Sequence, residues 1–325
     1  MAWPSVATGE HSPQCARVLA WIDEDMPKNE TFIVVAYGSL LSGYGILAKR
    51  RGGRSRLVAR DAFPATLTNA RRGLAKPSSH GSYLAMDLEP IAPEQPLVAH
   101  SGGDASEGIG VLALEFAREA APLVAQREEY EPSKFVQLFE LAEAAGRSLG
   151  EFLWAIAERT KFNLLAYRTA LRELLGYTSH GYIFHPVPFA DGRIGIAAIG
   201  SGYDGSGDPA IPSKRREYGM DRLLSLPEAL RVSSLELDRE GQVGYFVECL
   251  LGGLHGLGVA DLAAELAADD ALSVQLRERL SAAAPLETGL FLEATSLDAE
   301  RYRRRFSRAL HQNLEPLFAR GQRAS

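Results

Sequence analysis

Apolar runs along the chain predict a sheet that is interrupted and then followed by helices. Strands are predicted over 32–37, 57–60, 63–68, 81–88, 109–116, 181–188 and 193–199. A helix is predicted over about 117–129, and a helical period continues from Pro132 to Gly176, a suitable C-terminal stop. Because the strands are grouped and do not alternate with single helices, the pattern predicts an α+β fold.

The rest of the chain divides around this predicted sheet. Residues 1–30 are predicted to form a leader with one short helix, and 31–255 the main domain with a helical insert at about 133–176. Residues 256–325 are rich in Ala and Leu and are interpreted as a helical C-terminal extension. Its helices are predicted near 260–283 and 297–315, with Pro285 between them and Ser296 as an N-cap. A surface loop is predicted from Pro90 to Gly103.

Composition narrows the class of protein. The 325 residues are 46% hydrophobic and 23% charged, which is typical of a globular protein. A net charge of −6 argues against a nucleic-acid partner. No run approaches the roughly 20 apolar residues of a membrane span, and the first residues lack a signal-peptide pattern, so we expect a cytoplasmic protein with no membrane partner. The two cysteines, Cys15 and Cys249, suggest no disulfide framework, although one bridge between them stays possible.

The strand at 32–37 carries the first candidate chemistry. It runs directly into Tyr37, Gly38, Ser39 and Leu40. A strand that ends in a Gly-Ser turn presents successive backbone N–H groups at its tip, and such groups can hold a carboxylate or a developing oxyanion. The alternative is a core strand followed by an ordinary turn.

Two later segments carry further short motifs, which follow the first in a fixed order along the chain. Gly108 to Phe116 is another strand-like run, and the helix after it carries Arg127-Glu128-Glu129-Tyr130. Tyr-Gly-Ser-Leu, then Gly-Val-Leu-x-Leu, then Arg-Glu-x-Tyr resembles the γ-glutamylcyclotransferase family, and in particular its Tyr-Gly-Ser-Leu branches. The resemblance covers about a third of the chain.

The resemblance implies a fold, a substrate and a set of site residues. The fold would be a mixed β-barrel flanked by helices, to which this chain adds the helical insert and extension. Tyr37, Gly38, Ser39 and Leu40 would grip a γ-glutamyl group, Glu128 would transfer the proton, and Tyr130 would be the nearby aromatic residue. The chain departs from the family at Glu129, where glycine is frequent, and at Val124-Ala125, where Leu-Asp is common. Glu129 is therefore the alternative position for the acid.

The implied reaction needs only a small-molecule γ-glutamyl substrate, with no cofactor and no metal. The free α-amine attacks the γ-carbonyl carbon, closes the lactam 5-oxoproline and expels an amine. One carboxylate can take a proton from the amine and give one to the leaving nitrogen, and a partly buried site would raise its pKa. Two alternatives stay open: a non-catalytic relative that binds a γ-glutamyl ligand or a protein, and an amidohydrolase with Ser39 as nucleophile. The oligomeric state is open.

Other motifs compete with this interpretation. Gly200 to Gly205 matches G-x-G-x-x-G, but Pro209 and Pro212 follow where a helix should start, so we interpret it as a loop that could cover the substrate. His180 and His185, with Asp204 and Asp208 beyond them, lack clear metal-ligand spacing. The basic clusters are expected to form solvated surfaces: Lys214-Arg215-Arg216, Arg301 with Arg303-Arg304-Arg305, and Arg71-Arg72. For Arg71 and Arg72, an anion site is the alternative.

Overall fold

The computed structural model describes residues 30–47, 57–77, 83–92, 94–101, 108–128, 130–176, 182–200, 223–231, 238–265 and 270–306. Several predictions lie outside these residues: the leader helix, the loop near 200–210 with its G-x-G-x-x-G match except for Gly200 at the end of the last strand, Glu129, His180 and the cluster at 214–216. The statements below concern the described residues.

The strands are β1 (Thr31–Ala36), β2 (Asp61–Thr68), β3 (Ala70–Pro77), β4 (Leu84–Pro90), β5 (Val98–Ser101), β6 (Ile109–Ala117), β7 (Tyr182–Pro188) and β8 (Ile194–Gly200). Six of them form one mixed sheet in the order β5-β2-β6-β1-β8-β7, in which only β1 and β8 are parallel. A bridge between Ala99 and Phe189 brings its two edges together, so the sheet curls into a half-barrel. β3 and β4 form a separate hairpin.

The helices are α1 (Gly43–Leu47), α2 (Ala121–Arg127), α3 (Pro132–Ala144), α4 (Leu149–Arg159), α5 (Leu164–Leu175), α6 (Leu226–Ala229), α7 (Arg239–Leu251), α8 (Ala260–Glu265), α9 (Asp270–Thr295) and α10 (Ala299–Phe306). Short 3-10 turns cover Ser39–Leu41, Arg118–Ala120 and Gly252–His255. A curled sheet with grouped helices confirms the α+β prediction.

β1 lies inside the sheet and is buried because both of its faces are covered. Its Phe32 ring packs against Phe116 of β6 and against Phe135 and Phe139 of α3. The predicted insert is therefore three helices, α3 to α5, with α3 packed against the core of the sheet. Gly176 ends α5 with a φ of 59°, a left-handed conformation that favours glycine, as its sequence position predicted.

Three predicted boundaries are wrong. Residues 57–60 form no strand, although Ala59 and Arg60 donate backbone hydrogen bonds to Ala294 and Glu115. Pro285 lies inside α9 and does not separate two helices, because packing of α9 against α1 and α7 holds the helix together. Ser296 is the break after α9, with a φ of 49°, and Asp298 caps α10 by accepting bonds from two backbone N–H groups.

Other elements have no counterpart in the sequence prediction. The hairpin strand β3 and the helix α7 were not predicted, and β5 occupies part of the stretch that was predicted to be a surface loop. Within the part of the chain that the structure describes, no helix combines the length and the apolarity needed to cross a membrane.

Candidate functional site

The site begins at the turn that follows β1. Gly38 precedes the 3-10 turn Ser39–Leu41, and the Leu41 N–H donates to the Gly38 carbonyl at 3.0 Å. The N–H groups of Ser39 and Leu40 have no acceptor among the described residues. Both residues are buried, and a buried N–H without a partner is costly. These two amides are therefore suited to bind the oxygen of a carbonyl or carboxylate ligand.

Gly38 lets neighbouring elements approach this turn closely. A Cβ at Gly38 would lie 3.2 Å from both Met86 Cβ of β4 and the Tyr245 hydroxyl of α7. The Tyr245 hydroxyl also accepts the Met86 N–H at 2.8 Å. A residue with a side chain would require these groups to shift by a few tenths of an ångström, so the space at Gly38 favours glycine.

Tyr37 lies directly before the turn and is buried. Its hydroxyl donates to the Ala198 carbonyl on β8, which fixes the turn to the neighbouring strand. Burial raises the pKa of Tyr37 well above its ordinary value, and the negative charges of Asp87 and Glu128 raise it further. The hydroxyl therefore stays protonated, and the carboxyl of Glu128 lies within electrostatic range of Tyr37.

Glu128 is the C-cap of α2, where its N–H donates to the Val124 carbonyl at 3.0 Å, and it is partly buried. Tyr130, the sequence-predicted aromatic neighbour, is 4% exposed and packs in the core against Phe135 and Phe184. Tyr37, Gly38, Ser39, Leu40 and Glu128 thus gather at one end of β1, whereas Tyr130 lies in the aromatic core.

Arg127 joins α2 to the turn. Its guanidinium Nη2 donates to Ser39 Oγ at 2.8 Å and to the Gly45 carbonyl at 3.3 Å. A permanent cation cannot accept a proton from a serine hydroxyl. Sequence reasoning quoted Arg127 only as part of a motif and gave it no role.

The expectation that Arg72 is a surface charge is wrong. Its side chain is 0% exposed and is bonded to Asp261 of α8 through two nitrogens, at 2.9 and 2.7 Å. Nη1 also donates to the carbonyls of Tyr37 and Gly110 at 3.1 and 2.9 Å. Arg72 therefore holds the backbone at the end of β1. Arg71 is exposed as expected and pairs with Glu89, so neither arginine offers an uncompensated charge as an anion site.

Glu287 of α9 supports the other end of the turn. Its carboxylate accepts the N–H of Gly43 at 2.6 Å and the N–H of Tyr44 at 3.3 Å. His255 lies with Nε2 2.8 Å from Glu287 Oε1 and with Nδ1 2.8 Å from the Tyr302 hydroxyl. His255 and Glu287 are both buried, so the predicted C-terminal extension contributes a hydrogen-bonded support to this site.

α7 brings two further titratable groups close to the turn. Burial raises the pKa of Glu248 to about 7, in spite of the opposing positive charge of Arg127. Burial also raises the pKa of the neighbouring Cys249 thiol, which is free and inert in its thiol form. Sequence reasoning missed Glu248. The available signal was a single acidic residue inside the apolar run Tyr245 to Leu251.

The other residues that the sequence singled out have structural or surface roles wherever the structure describes them. His185 is buried on β7 with Nδ1 3.0 Å from the Pro186 carbonyl, and burial lowers its pKa to about 4. Among the described residues, no group of three or more His, Cys, Asp or Glu could hold a metal ion. Of the C-terminal basic cluster, Arg303 and Arg304 are exposed as predicted, whereas Arg301 and Arg305 pair with Asp61.

Comparisons of the chain with protein-family models, with curated proteins and with solved structures found no match in any of the three.

Proposed function

We propose that this chain is a γ-glutamylcyclotransferase-type enzyme that converts a γ-glutamyl amine or peptide into 5-oxoproline and the free amine. The observation that carries the proposal is that the amides at the turn and the Glu128 carboxyl are close to the same residue, Tyr37. The amides of Ser39 and Leu40, which have no acceptor among the described residues, lie on the turn that follows Tyr37, and the Glu128 carboxyl lies within electrostatic range of Tyr37. The curled mixed sheet is compatible with the fold that the sequence resemblance implies.

The geometry supports a division of work between backbone and side chain. The amides of Ser39 and Leu40 bind the γ-carbonyl oxygen and stabilise the negative charge that it gains when the α-amine attacks. Glu128 takes a proton from the attacking nitrogen and delivers it to the leaving nitrogen, a role that is typically worth about 10²–10⁴-fold in rate. Holding the flexible glutamyl chain in the attack conformation supplies a further large factor.

The hydrogen bonding of Ser39 favours this reaction over hydrolysis by a serine nucleophile. A nucleophilic serine needs a base to take its proton. Within the described residues, the side-chain partner of Ser39 Oγ is the Arg127 guanidinium, which is a donor. An amidohydrolase would release glutamate from a γ-glutamyl compound, whereas the proposed enzyme releases 5-oxoproline, so the product separates these two activities.

The test is 5-oxoproline release from a panel of γ-glutamyl peptides and γ-glutamyl amines, with wild type compared with Glu128→Gln. We expect turnover by wild type and a loss of at least about 10²-fold in the variant. Glu140→Gln, an exposed substitution on α3, is the matched control and should retain wild-type activity. Binding of the compounds without any product would overturn the proposal and favour a non-catalytic binding protein, and glutamate release would favour the hydrolase.

A further inference from the structure

Helix α7 lies along the turn 39–41, and Glu248 is on the face of α7 that contacts this turn. Tyr245 approaches Gly38 at one end, where a Cβ on Gly38 would lie 3.2 Å from the Tyr245 hydroxyl. Gly252, directly after α7, approaches the other end, where a Cβ on Gly252 would lie 2.8 Å from Leu41 Cβ. Positions 245, 248 and 252 share one face of a helix because they are three and seven residues apart. Glu248 therefore lies between these two contacts, on the side of α7 that is directed towards the turn.

The surroundings of Glu248 distinguish it from a structural carboxyl. Glu248 has intermediate exposure, and among the described residues its carboxylate makes no hydrogen bond to another side chain or to the backbone. The charged groups that face it are Arg127 of α2 and Glu287 of α9. Glu287 binds the amide of Gly43, and Arg127 binds Ser39 through Nη2, whereas the buried Nε of Arg127 has no partner among the described residues. Glu248 is thus a partly buried carboxyl beside the turn that no other described residue binds, so it is available to a ligand.

We propose that Glu248 is a second substrate-contacting carboxyl, which binds the α-ammonium group of the γ-glutamyl substrate and takes its first proton. This inference rests on the proposed function and deepens it by assigning the recognition of the substrate amine.

The reaction removes two protons from the substrate nitrogen, and each can be accepted by a different carboxylate. The α-ammonium nitrogen loses two protons before it becomes the lactam N–H. Glu248 takes the first, which frees the lone pair that forms the new C–N bond, while the carbonyl electron pair moves to the oxygen at the Ser39 and Leu40 amides. Glu128 takes the second proton and gives it to the leaving nitrogen as the old C–N bond breaks. The proton on Glu248 then passes to solvent or to the released amine.

The raised pKa of Glu248 is consistent with its role as a base. Its pKa of about 7 is closer to that of an amine than an ordinary glutamate pKa is, so proton transfer from the substrate costs less. Below pH 7 the carboxyl becomes protonated and can no longer act as a base. We therefore expect kcat/KM of wild type to fall as the pH decreases through about 7.

The first experiment compares wild type, Glu248→Gln and the exposed control Glu278→Gln on α9. Glu248→Gln should lower kcat/KM by about 10²-fold and remove the acid limb near pH 7, while its Tm stays at or above that of wild type because a disfavoured buried charge is gone. Glu248→Asp, which keeps the charge, should restore part of the activity. Unchanged kcat/KM and an unchanged pH profile in Glu248→Gln would overturn the inference.

A binding experiment tests the same contact without turnover. The affinity of a γ-glutamyl amide is compared with that of its glutaryl analogue, which lacks the α-amine and cannot cyclise. Glu128→Gln, in which we expect turnover to be slow enough for binding to be measured, should prefer the γ-glutamyl compound, and the additional Glu248→Gln substitution should reduce this preference by at least about tenfold. An equal preference in both proteins rejects the contact. Failure of the proposed function has a different signature, the absence of 5-oxoproline from wild type with every compound.

Discussion

Arg127 donates a hydrogen bond to Ser39 Oγ at 2.8 Å, so the residue next to the proposed base is bonded directly to the turn that carries the Ser39 and Leu40 amides. The same guanidinium nitrogen donates to the Gly45 carbonyl at 3.3 Å, which extends the connection to α1. Because the contacts join α2 to the end of β1, Arg127 helps to set the position of Glu128 relative to the amides.

Arg127→Met should therefore impair the proposed reaction in two ways, by displacing Glu128 and by removing a positive charge near Glu248. It removes both hydrogen bonds, and a small displacement of a catalytic group can cost about 10²-fold in kcat/KM. Because Arg127 lowers the pKa of Glu248, its loss should raise that pKa above about 7 and move the acid limb of the activity profile to higher pH. Profiles of 5-oxoproline release against pH measure both effects. The exposed Arg159→Met on α4 should show neither.

Glu287→Gln should lower the stability of the protein by weakening the hydrogen bonds that hold the residues after the turn. The neutral amide keeps an acceptor but weakens the bonds to the Gly43 and Tyr44 N–H groups and to His255. Hydrogen bonds to a charged group contribute about 1.5–3 kcal/mol each, so we expect the free energy of unfolding to fall by about 2 kcal/mol. Urea unfolding measures the change. Glu278→Gln on the same helix is exposed, and equal effects of the two substitutions would contradict the buried network.

Gly43→Ala and Gly289→Ala should have opposite effects on stability. A Cβ at Gly43 would overlap the backbone nitrogen of Phe291, so α9 would have to move away from α1. We expect a loss of more than about 2 kcal/mol in the free energy of unfolding. Gly289 lies within α9 and has no atom within 4 Å of an added Cβ, so alanine should stabilise the protein by about 0.5–1 kcal/mol. Thermal unfolding of both variants provides the comparison.

His185 should make stability depend on pH. In the unfolded chain its pKa is about 6.5, whereas burial lowers the folded pKa to about 4. The unfolded state therefore binds the proton first, and the folded state loses stability as the pH falls from 6.5 through 4. The full effect is about 3 kcal/mol. Urea unfolding of wild type and His185→Gln at several pH values isolates it, because other titrating groups are common to both. A difference that stays constant with pH would argue that His185 titrates normally.

The sequence determined the local parts of the fold and the proposed site. Consecutive apolar residues at 32–36 fix β1 as a buried strand, and Gly38 allows the close turn that follows. A helical period fixed the three helices of the insert, and Gly176 ended the last one because only a residue without Cβ adopts its conformation freely. Glu128 was predicted through a motif, which is also a local signal, and its role stays a prediction.

The tertiary structure decided everything that depends on partners distant in the chain. Arg72 is buried because Asp261 and the Tyr37 carbonyl meet it, and nothing near Arg72 in sequence indicates either partner. Pro285 stays inside a helix because α9 packs along α1 and α7, which outweighs its low helix propensity. Glu248 lies beside the turn because α7 packs along it. Charge burial and proton affinity are set by three-dimensional neighbours, so a linear pattern of residues could not reveal these three relationships.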